Sequence, residues 1–259
     1  MTMNNELTFR PAEMKDFEKL TQFGVPLIKE EYSLVVEKGY GQFYFAQLGE
    51  KVVGLIEVMY KCFDDKVEEN ILQPKLRQLK ELGKSYTHDD IKFIEGEQMY
   101  ISWIAVLPEY QNQHIGSRIC RYIIKKIPSE LEKTSVVRIN NLPSIRLLMR
   151  EFGMSIIGIK PINQKIIGSR ETNFITSSLV PPILDPSLIK TRRIFYKGSE
   201  ISMEKEFLVP VSNGEEEDLE GIPEFKETLK EIFELKFKIR GLFKAEELKI
   251  KGDKSYFYC

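Results

Sequence analysis

The chain has 259 residues, 42% of them hydrophobic, which is enough for a real core and suits one large domain or a medium domain with a small one. Its 38 basic and 39 acidic residues give a net charge of −1, so no overall basic field is present to hold nucleic acid or an anionic membrane surface. The sequence contains no apolar run of about 18 residues and no signal-peptide pattern. Its three cysteines, Cys62, Cys120 and Cys259, are widely spaced, which predicts reduced thiols and a cytoplasmic location. With only two histidines in the chain, we expect no metal site.

The first part of the chain predicts a strand, a helix and a hairpin. Residues 7–10 form the strand, and the helix that follows has apolar side chains at roughly helical spacing, at Phe17, Leu20, Phe23 and Leu27. Gly24 is expected to end or kink this helix early. Two apolar segments joined by a Gly-Glu pair indicate a hairpin with strands at 42–48 and 51–60.

The middle of the chain begins with a charged insert and then alternates strands with helices. The insert covers residues 64–98, with a short helix expected around 74–82. Strands are predicted at 100–106, 135–139, 154–160 and 172–179, and helices at 116–126 and 141–152. Gly153 supplies the stop signal for the second helix. This order predicts an α/β fold with a mixed sheet flanked by helices.

A Pro-rich connector at 180–187 marks a domain boundary. Beyond it we predict a hairpin at 193–203, an acidic loop at 214–218 and a helix at 223–240. The expected division is therefore a first domain at 5–180 and a small C-terminal α+β module at 187–259. About 70 residues are few for an independent core, so the module is expected to pack on the first domain. It is either a structural appendage or a surface for substrate or partner.

The most informative segment runs from Tyr100 to Ile127 and predicts a strand, a tight polar turn and an amphipathic helix. The first amides of a helix have no acceptor within the helix, so such a turn can hold an anion. An ordinary turn without a ligand is the alternative. Strict alternation divides the side chains of the strand between two faces, with Tyr100, Ser102, Ile104 and Val106 on one and Ile101, Trp103 and Ala105 on the other.

The sequence Val-Leu-Pro-Glu-Tyr-Gln-Asn-Gln-His-Ile-Gly-Ser at 106–117 resembles the acyl-CoA pyrophosphate loop of the GNAT superfamily of N-acetyltransferases. Gln111 and Gly116 match the family pattern, and His114 stands at its first glycine. The resemblance covers about residues 5–180 and implies a GNAT-like fold with acetyl-CoA as cosubstrate. It also implies the cosubstrate-binding set, namely the strand backbone at Ile104, Ala105 and Val106 and the loop residues Gln111, Asn112, Gln113, His114, Ile115, Gly116 and Ser117.

A second resemblance lies at 141–154, where the family often has an asparagine, a helix and a glycine. It implies that Asn141 helps to place the pantetheine arm. The family tyrosine that protonates the departing thiolate aligns with Met149, and methionine cannot donate a proton. We expect Met149 to pack in the core.

Attack by an amine requires a group that removes its proton, since a free amine has a pKa of roughly 10. Glu57 lies in an otherwise apolar strand and is the first candidate, followed by Glu97, just before the strand that begins at Tyr100. A solvated edge or an ion pair is the alternative for Glu57. Tyr100 lies where family members often keep a base, although tyrosine is a poor base at neutral pH.

These features together predict an acyl-CoA-dependent N-acetyltransferase that acts by direct attack of an amine on the thioester, without a metal. The acceptor is either a small molecule or a protein amine, and neither nucleic acid nor membrane is an expected partner. The sequence leaves open whether the chain forms a homodimer. The alternative is a non-catalytic module that binds acyl-CoA or a protein partner, favoured by His114, Met149 and the lack of a fixed base. A scaffold that binds no CoA is the third interpretation.

Overall fold

The computed structural model describes residues 6–25, 29–37, 39–59, 98–126, 131–139, 141–162, 171–191, 193–195, 206–211, 223–251 and 254–259. Its strands form a seven-stranded sheet in the order β1-β2-β3-β4-β5-β7-β6 and a three-stranded sheet in the order β8-β10-β9. Helices accompany the larger sheet, so the mixed α/β fold with a small C-terminal antiparallel sheet is confirmed. The strands are β1 Leu7–Pro11, β2 Gly41–Leu48, β3 Lys51–Met59, β4 Gln98–Val106, β5 Glu132–Arg138, β6 Ser155–Ile162, β7 Glu171–Ser177, β8 Leu208–Val211, β9 Gly241–Lys244 and β10 Ser255–Tyr258.

The helices lie largely where the sequence predicts them. The α-helices are α1 Lys29–Val36, α2 Ile115–Ile124, α3 Leu142–Phe152 and α4 Pro223–Glu234, and the 3-10 helices are Met14–Phe23, Pro108–Tyr110 and Pro186–Leu188. Gly24 has φ +67° and ends the first 3-10 helix, as expected. Helix α1 was not predicted. None of the helices among the described residues is long and apolar enough to cross a membrane.

Two compact units can be distinguished, one within residues 1–134 and one within residues 135–162 and 171–259. In the first unit, β1, β2, β3 and β4 are joined antiparallel in that order. One face of this sheet is covered by α1, where the buried ring of Tyr32 lies 5.3 Å from that of Phe43. On α2, Tyr122 stacks on Phe9 of β1 at 5.1 Å and meets Tyr44 of β2 edge-on.

A buried ionic cluster holds the first 3-10 helix against β1. The carboxylate of Asp16 is fully buried and accepts hydrogen bonds from Arg10 (2.6 and 2.8 Å), from Lys19 (2.7 Å) and from the backbone amide of Glu13 (3.0 Å). The hydrogen bonds from Arg10 are the main cause of a pKa of Asp16 far below its ordinary value, and burial opposes them. Asp16 is therefore ionised in the folded protein and satisfied on every side.

The second unit joins the C-terminal residues to β6 and β7. Ile156 of β6 and Ile239 exchange two backbone hydrogen bonds of 2.9 Å. The rings of Phe174 and Phe257 meet edge-on at 5.6 Å. The C-terminal residues thus contact strands that the expected division at 5–180 and 187–259 assigns to the first domain.

Helix α4 ends at Glu234, six residues before the predicted end at Arg240. Lys236 has φ +63°, which turns the backbone out of the helix and leads Ile239 into its pairing with β6. The expected helix at 74–82, the acidic loop at 214–218 and most of the hairpin at 193–203 lie outside the described residues.

Candidate functional site

Strand β4 is the fourth of seven strands, yet it is partly open to solvent. Every residue of β3 from Val52 to Met59 is buried, whereas each residue of β4 from Ser102 to Val106 is only half-buried. A central strand normally has both faces covered. The exposed part includes Ile104, Ala105 and Val106, so a ligand can reach the residues predicted to lie along the pantetheine arm.

The chain leaves β4 through a loop that is fixed by its own hydrogen bonds. The Leu107 amide donates to the carbonyl of Val53 at 2.9 Å, and the Gln111 amide donates to the carbonyl of Pro108 at 3.1 Å. The side-chain amide of Gln111 donates to the carbonyl of Val106 at 3.1 Å. Gln111 therefore stabilises the start of the loop, where its side-chain amide is already hydrogen-bonded to Val106.

The loop enters helix α2 through two left-handed residues. Asn112 has φ +60° and His114 has φ +59°, a region that glycine adopts freely and other residues adopt at a cost. His114 is the N-cap of α2 and its side chain is exposed. Histidine thus follows the backbone course that a glycine would take at this position.

The first turn of α2 presents amides with no acceptor inside the helix. The first intrahelical hydrogen bond runs from the Arg118 amide to the His114 carbonyl, at 3.0 Å. The amides of Ile115, Gly116 and Ser117 precede it and point out of the N-terminus. Together with the positive end of the helix dipole, they form a site suited to a phosphate group.

Gly54 on β3 places this helix end beside β4. It is paired with Val106, and a Cβ atom at Gly54 would lie 3.2 Å from Cγ2 of Ile115 and 3.3 Å from the carbonyl oxygen of Ala105. A larger residue would therefore push the first residue of α2 away from the sheet. The sequence analysis did not single out Gly54, although an isolated glycine in a strand often marks a close approach.

The charges around the loop favour an anion. Glu109 is exposed and is paired with Lys51 at 3.1 Å. A hydrogen bond from its own backbone amide and then one from Lys51 lower the pKa of Glu109. No acidic residue lies in the first turn of α2.

Glu57, the first candidate for the base, is buried in β3 with 5% of its surface exposed. In the strand register it lies between Phe43 of β2 and Trp103 of β4. Glu57 is three residues after Gly54 on β3, and successive side chains of a strand point to opposite faces. Phe43, Glu57 and Trp103 therefore lie on the face of the sheet opposite to Gly54 and helix α2. Phe43 is fully buried and Trp103 is half-buried.

The division of the β4 side chains predicted from strict alternation was wrong at Tyr100 and Ile101. The register shifts after the pair Glu57–Trp103, so Val58 is paired with Ile101 and Ser102 has no partner in β3. This bulge moves Tyr100, paired with Met59, to the face of Glu57 and Trp103, and Ile101 to the face of Ile104. Tyr100 is buried with 6% exposed.

Two of the predicted residues, Asn141 and Met149, belong to the N-cap and the body of helix α3. Asn141 belongs to the second unit, where it is exposed and caps α3 by accepting a hydrogen bond from the Ser144 amide at 3.2 Å. Met149 is buried on the same helix, which confirms that it packs in the core. Glu97 lies outside the described residues.

Among the described residues, no group of three or more His, Cys, Asp or Glu side chains is arranged to hold a metal ion.

A family model matches more than half of this chain. The family model described as "Acetyltransferase (GNAT) family" matches residues 8–154. No match appears among curated proteins.

Several solved structures are similar to this chain. An acetyltransferase of the GNAT family from Streptococcus pneumoniae has 16% identity and a TM-score of 0.44, with 66% of this chain and 98% of that chain covered. NAA60 from Arabidopsis thaliana, in complex with acetyl-CoA, has 18% identity and a TM-score of 0.44, with 66% and 97% covered. The ribosomal-protein-S18-alanine N-acetyltransferase from Escherichia coli has 14% identity and a TM-score of 0.46, with 66% and 92% covered.

Proposed function

The chain belongs to the acetyltransferase (GNAT) family, and from this premise we propose that it transfers an acetyl group from acetyl-CoA to the nitrogen of an amine acceptor. The observation that carries the proposal is the continuous path from half-buried β4 through the left-handed residues Asn112 and His114 to the free amides of α2. This path offers backbone donors and acceptors for an extended arm and amides for a diphosphate in one segment of chain.

The residues present fit acetyl-CoA. The amides from Asn112 to Ser117 suit its diphosphate, since six successive backbone N–H groups lie in a turn and a helix start, and the first turn of the helix contains no acidic residue. The half-buried segment of β4 at Ile104, Ala105 and Val106 suits the amide groups of its pantetheine arm. Bound there, the cosubstrate supplies a thioester whose carbonyl the same backbone can polarise.

Transfer requires that the amine lose a proton as its nitrogen bonds to the acetyl carbon and the carbon–sulfur bond breaks. We propose Glu57 as the acceptor of that proton, with Glu97 as the second candidate and Tyr100 as a neighbour on the same face as Glu57. Met149 is buried and has no proton to give, so the thiolate leaves to solvent and takes its proton there.

The proposal also covers the roles of the two parts of the chain, the kind of acceptor and the cellular location. We assign acetyl transfer to residues 5–180 and a structural role to the module at 187–259. The acceptor is a small molecule or a protein amine. The reduced-thiol composition supports a cytoplasmic location.

A charge placed in the first turn of α2 tests the donor site. Ser117→Glu puts a carboxylate where the diphosphate is proposed to lie, while an acid in a first helical turn stabilises the helix by about 0.3–1 kcal/mol. We expect this variant to lose acetyl-CoA binding and to remain at least as stable as the wild type. Ser117→Gln, of the same size and neutral, is the matched control and should still bind.

The readout is the thermal midpoint with and without acetyl-CoA, followed by acetylation of a panel of amines. Ligand at about 100 times its Kd should stabilise the wild type by about 2.7 kcal/mol. Binding without turnover on any amine would favour the non-catalytic alternative. No stabilisation of the wild type would overturn the donor site altogether.

A further inference from the structure

Helix α2 carries an exposed basic side chain directly after its free amides. Arg118 follows Ser117, and its own backbone amide closes the first helical hydrogen bond, to His114. Because helical side chains lean towards the N-terminus of their helix, the exposed side chain of Arg118 is long enough for its guanidinium to reach back towards the loop at 112–117. Its position therefore brings a fixed positive charge to the rim of the proposed diphosphate site.

Within the part of the chain that the structure describes, no carboxylate forms an ion pair with Arg118, and the one acid of residues 107–117, Glu109, is paired with Lys51. From Ile115 to Lys126 the sequence contains no acidic residue. The guanidinium is thus available to a ligand.

The chemistry of coenzyme A identifies the group that Arg118 would meet. Its diphosphate is joined to the 5′ carbon of a ribose that also carries a 3′-phosphate, a dianion a few bonds away. Once the loop amides hold the diphosphate, these few bonds keep the 3′-phosphate in the surroundings of the loop, within reach of a long side chain. A guanidinium matches a phosphate with two parallel hydrogen bonds.

We propose that Arg118 binds the 3′-phosphate of coenzyme A and makes the donor site prefer CoA to dephospho-CoA. The inference rests on the proposed function, since it assumes that the loop holds the diphosphate. It adds a specificity-determining side chain to a site that is otherwise built from backbone.

The test compares the Kd values of CoA and dephospho-CoA by titration calorimetry for the wild type, Arg118→Gln and Lys125→Gln. Lys125 is the matched control, because it is an exposed cation at the C-cap of the same helix, about 10 Å further along the axis. We expect the wild type to bind CoA about tenfold more tightly than dephospho-CoA, in line with one charge-assisted contact at an exposed site. Arg118→Gln should remove this preference and leave the affinity for dephospho-CoA unchanged, and Lys125→Gln should keep it.

Other outcomes separate the two proposals. Equal affinity of the wild type for both ligands, or a preference that survives Arg118→Gln, would overturn the role of Arg118 and leave the donor site standing. An equal loss for both ligands in Arg118→Gln would also overturn it, because the arginine would then serve the shared diphosphate. Failure of the wild type to bind either ligand would overturn the donor site and this inference with it.

Discussion

Glu57 on β3 lies directly opposite Trp103 on β4, and the register between the two strands shifts immediately after this pair. The shift leaves Ser102 unpaired and brings Tyr100 to the same face of the sheet as Glu57 and Trp103. A buried carboxylate, a buried phenol and a half-buried indole thus share the face of β3 and β4 that is opposite helix α2. This grouping is the reason to test Glu57 first among the candidate bases.

Glu57→Gln should lower the rate of acetyl transfer by about 10²–10⁴-fold, the usual contribution of a general base. The amide keeps the size of the side chain and removes its ability to take a proton. Steady-state kinetics at saturating acetyl-CoA, with the Kd for acetyl-CoA measured separately, checks this expectation.

The variants Glu97→Gln and Tyr100→Phe provide the comparison for Glu57. Tyr100→Phe should leave most of the activity, because tyrosine is protonated at neutral pH. A large loss in Glu97→Gln with full activity in Glu57→Gln would transfer the base to Glu97.

Gly54→Ala should weaken acetyl-CoA binding and lower stability by about 1–3 kcal/mol, the cost of overpacking. The added methyl would lie 3.2 Å from Ile115, and relief of that contact displaces the start of α2. Urea unfolding and ligand titration measure the two effects.

Gly158→Ala is the control for Gly54→Ala, since its methyl would meet only Ile175, at 3.8 Å. Its stability should stay within about 0.5 kcal/mol of the wild type. Equal behaviour of the two alanine variants would show that Gly54 does not position the helix.

His114→Gly should stabilise the protein by about 0.5–1 kcal/mol. A left-handed conformation costs a residue with a Cβ roughly 1–2 kcal/mol, and the larger unfolded-state entropy of glycine offsets part of the gain. Gln113→Gly is the control, because Gln113 lies outside the left-handed region and should lose stability. The expectation fails if chemical denaturation ranks these two variants in the opposite order.

Asp16→Asn should destabilise the protein by about 2–4 kcal/mol at pH 7, because a buried cluster loses its only carboxylate while Arg10 remains. The pKa of Asp16 is lower in the folded state than the unfolded value of about 3.9. The stability that it provides is therefore complete above pH 4 to 5 and is lost as the pH falls through the folded pKa. Urea unfolding at a series of pH values should show the difference between wild type and variant shrinking below pH 4.

Lys19→Gln is the matched control for Asp16→Asn. The side chain of Lys19 is 42% exposed, so its ion pair is screened by solvent and its loss should cost about 1 kcal/mol or less. A difference between wild type and Asp16→Asn that is independent of pH would contradict the assignment of the charge to Asp16.

Local sequence signals were sufficient for much of the fold. The hairpin of β2 and β3 follows from two apolar segments around a Gly-Glu turn, and the end of α3 follows from Gly153, which has φ +66°. The loop before α2 was also anticipated, since its strand, turn and helix signals are consecutive in the chain.

Features that depend on distant partners were missed. The bulge at Ser102 arises from the pairing of β4 with β3 and has no signature in β4 itself. Helix α1 has weak helical patterning, and the packing of Tyr32 on Phe43 stabilises it. The close approach of Gly54 and Ile115 likewise joins residues that are far apart in sequence, so the sequence of the loop before α2 could not reveal which residue positions it.

From the paired backbone of Ile156 and Ile239 we predict a protective role for the C-terminal module. Strand β6 is the last strand of the seven-stranded sheet, and an uncovered edge of this kind invites pairing with other chains. Ile239 occupies the hydrogen-bonding groups of β6 at Ile156, and Phe257 covers the ring of Phe174. A chain shortened at the Pro-rich connector would expose both, so it should self-associate even though every residue of the proposed donor loop is retained.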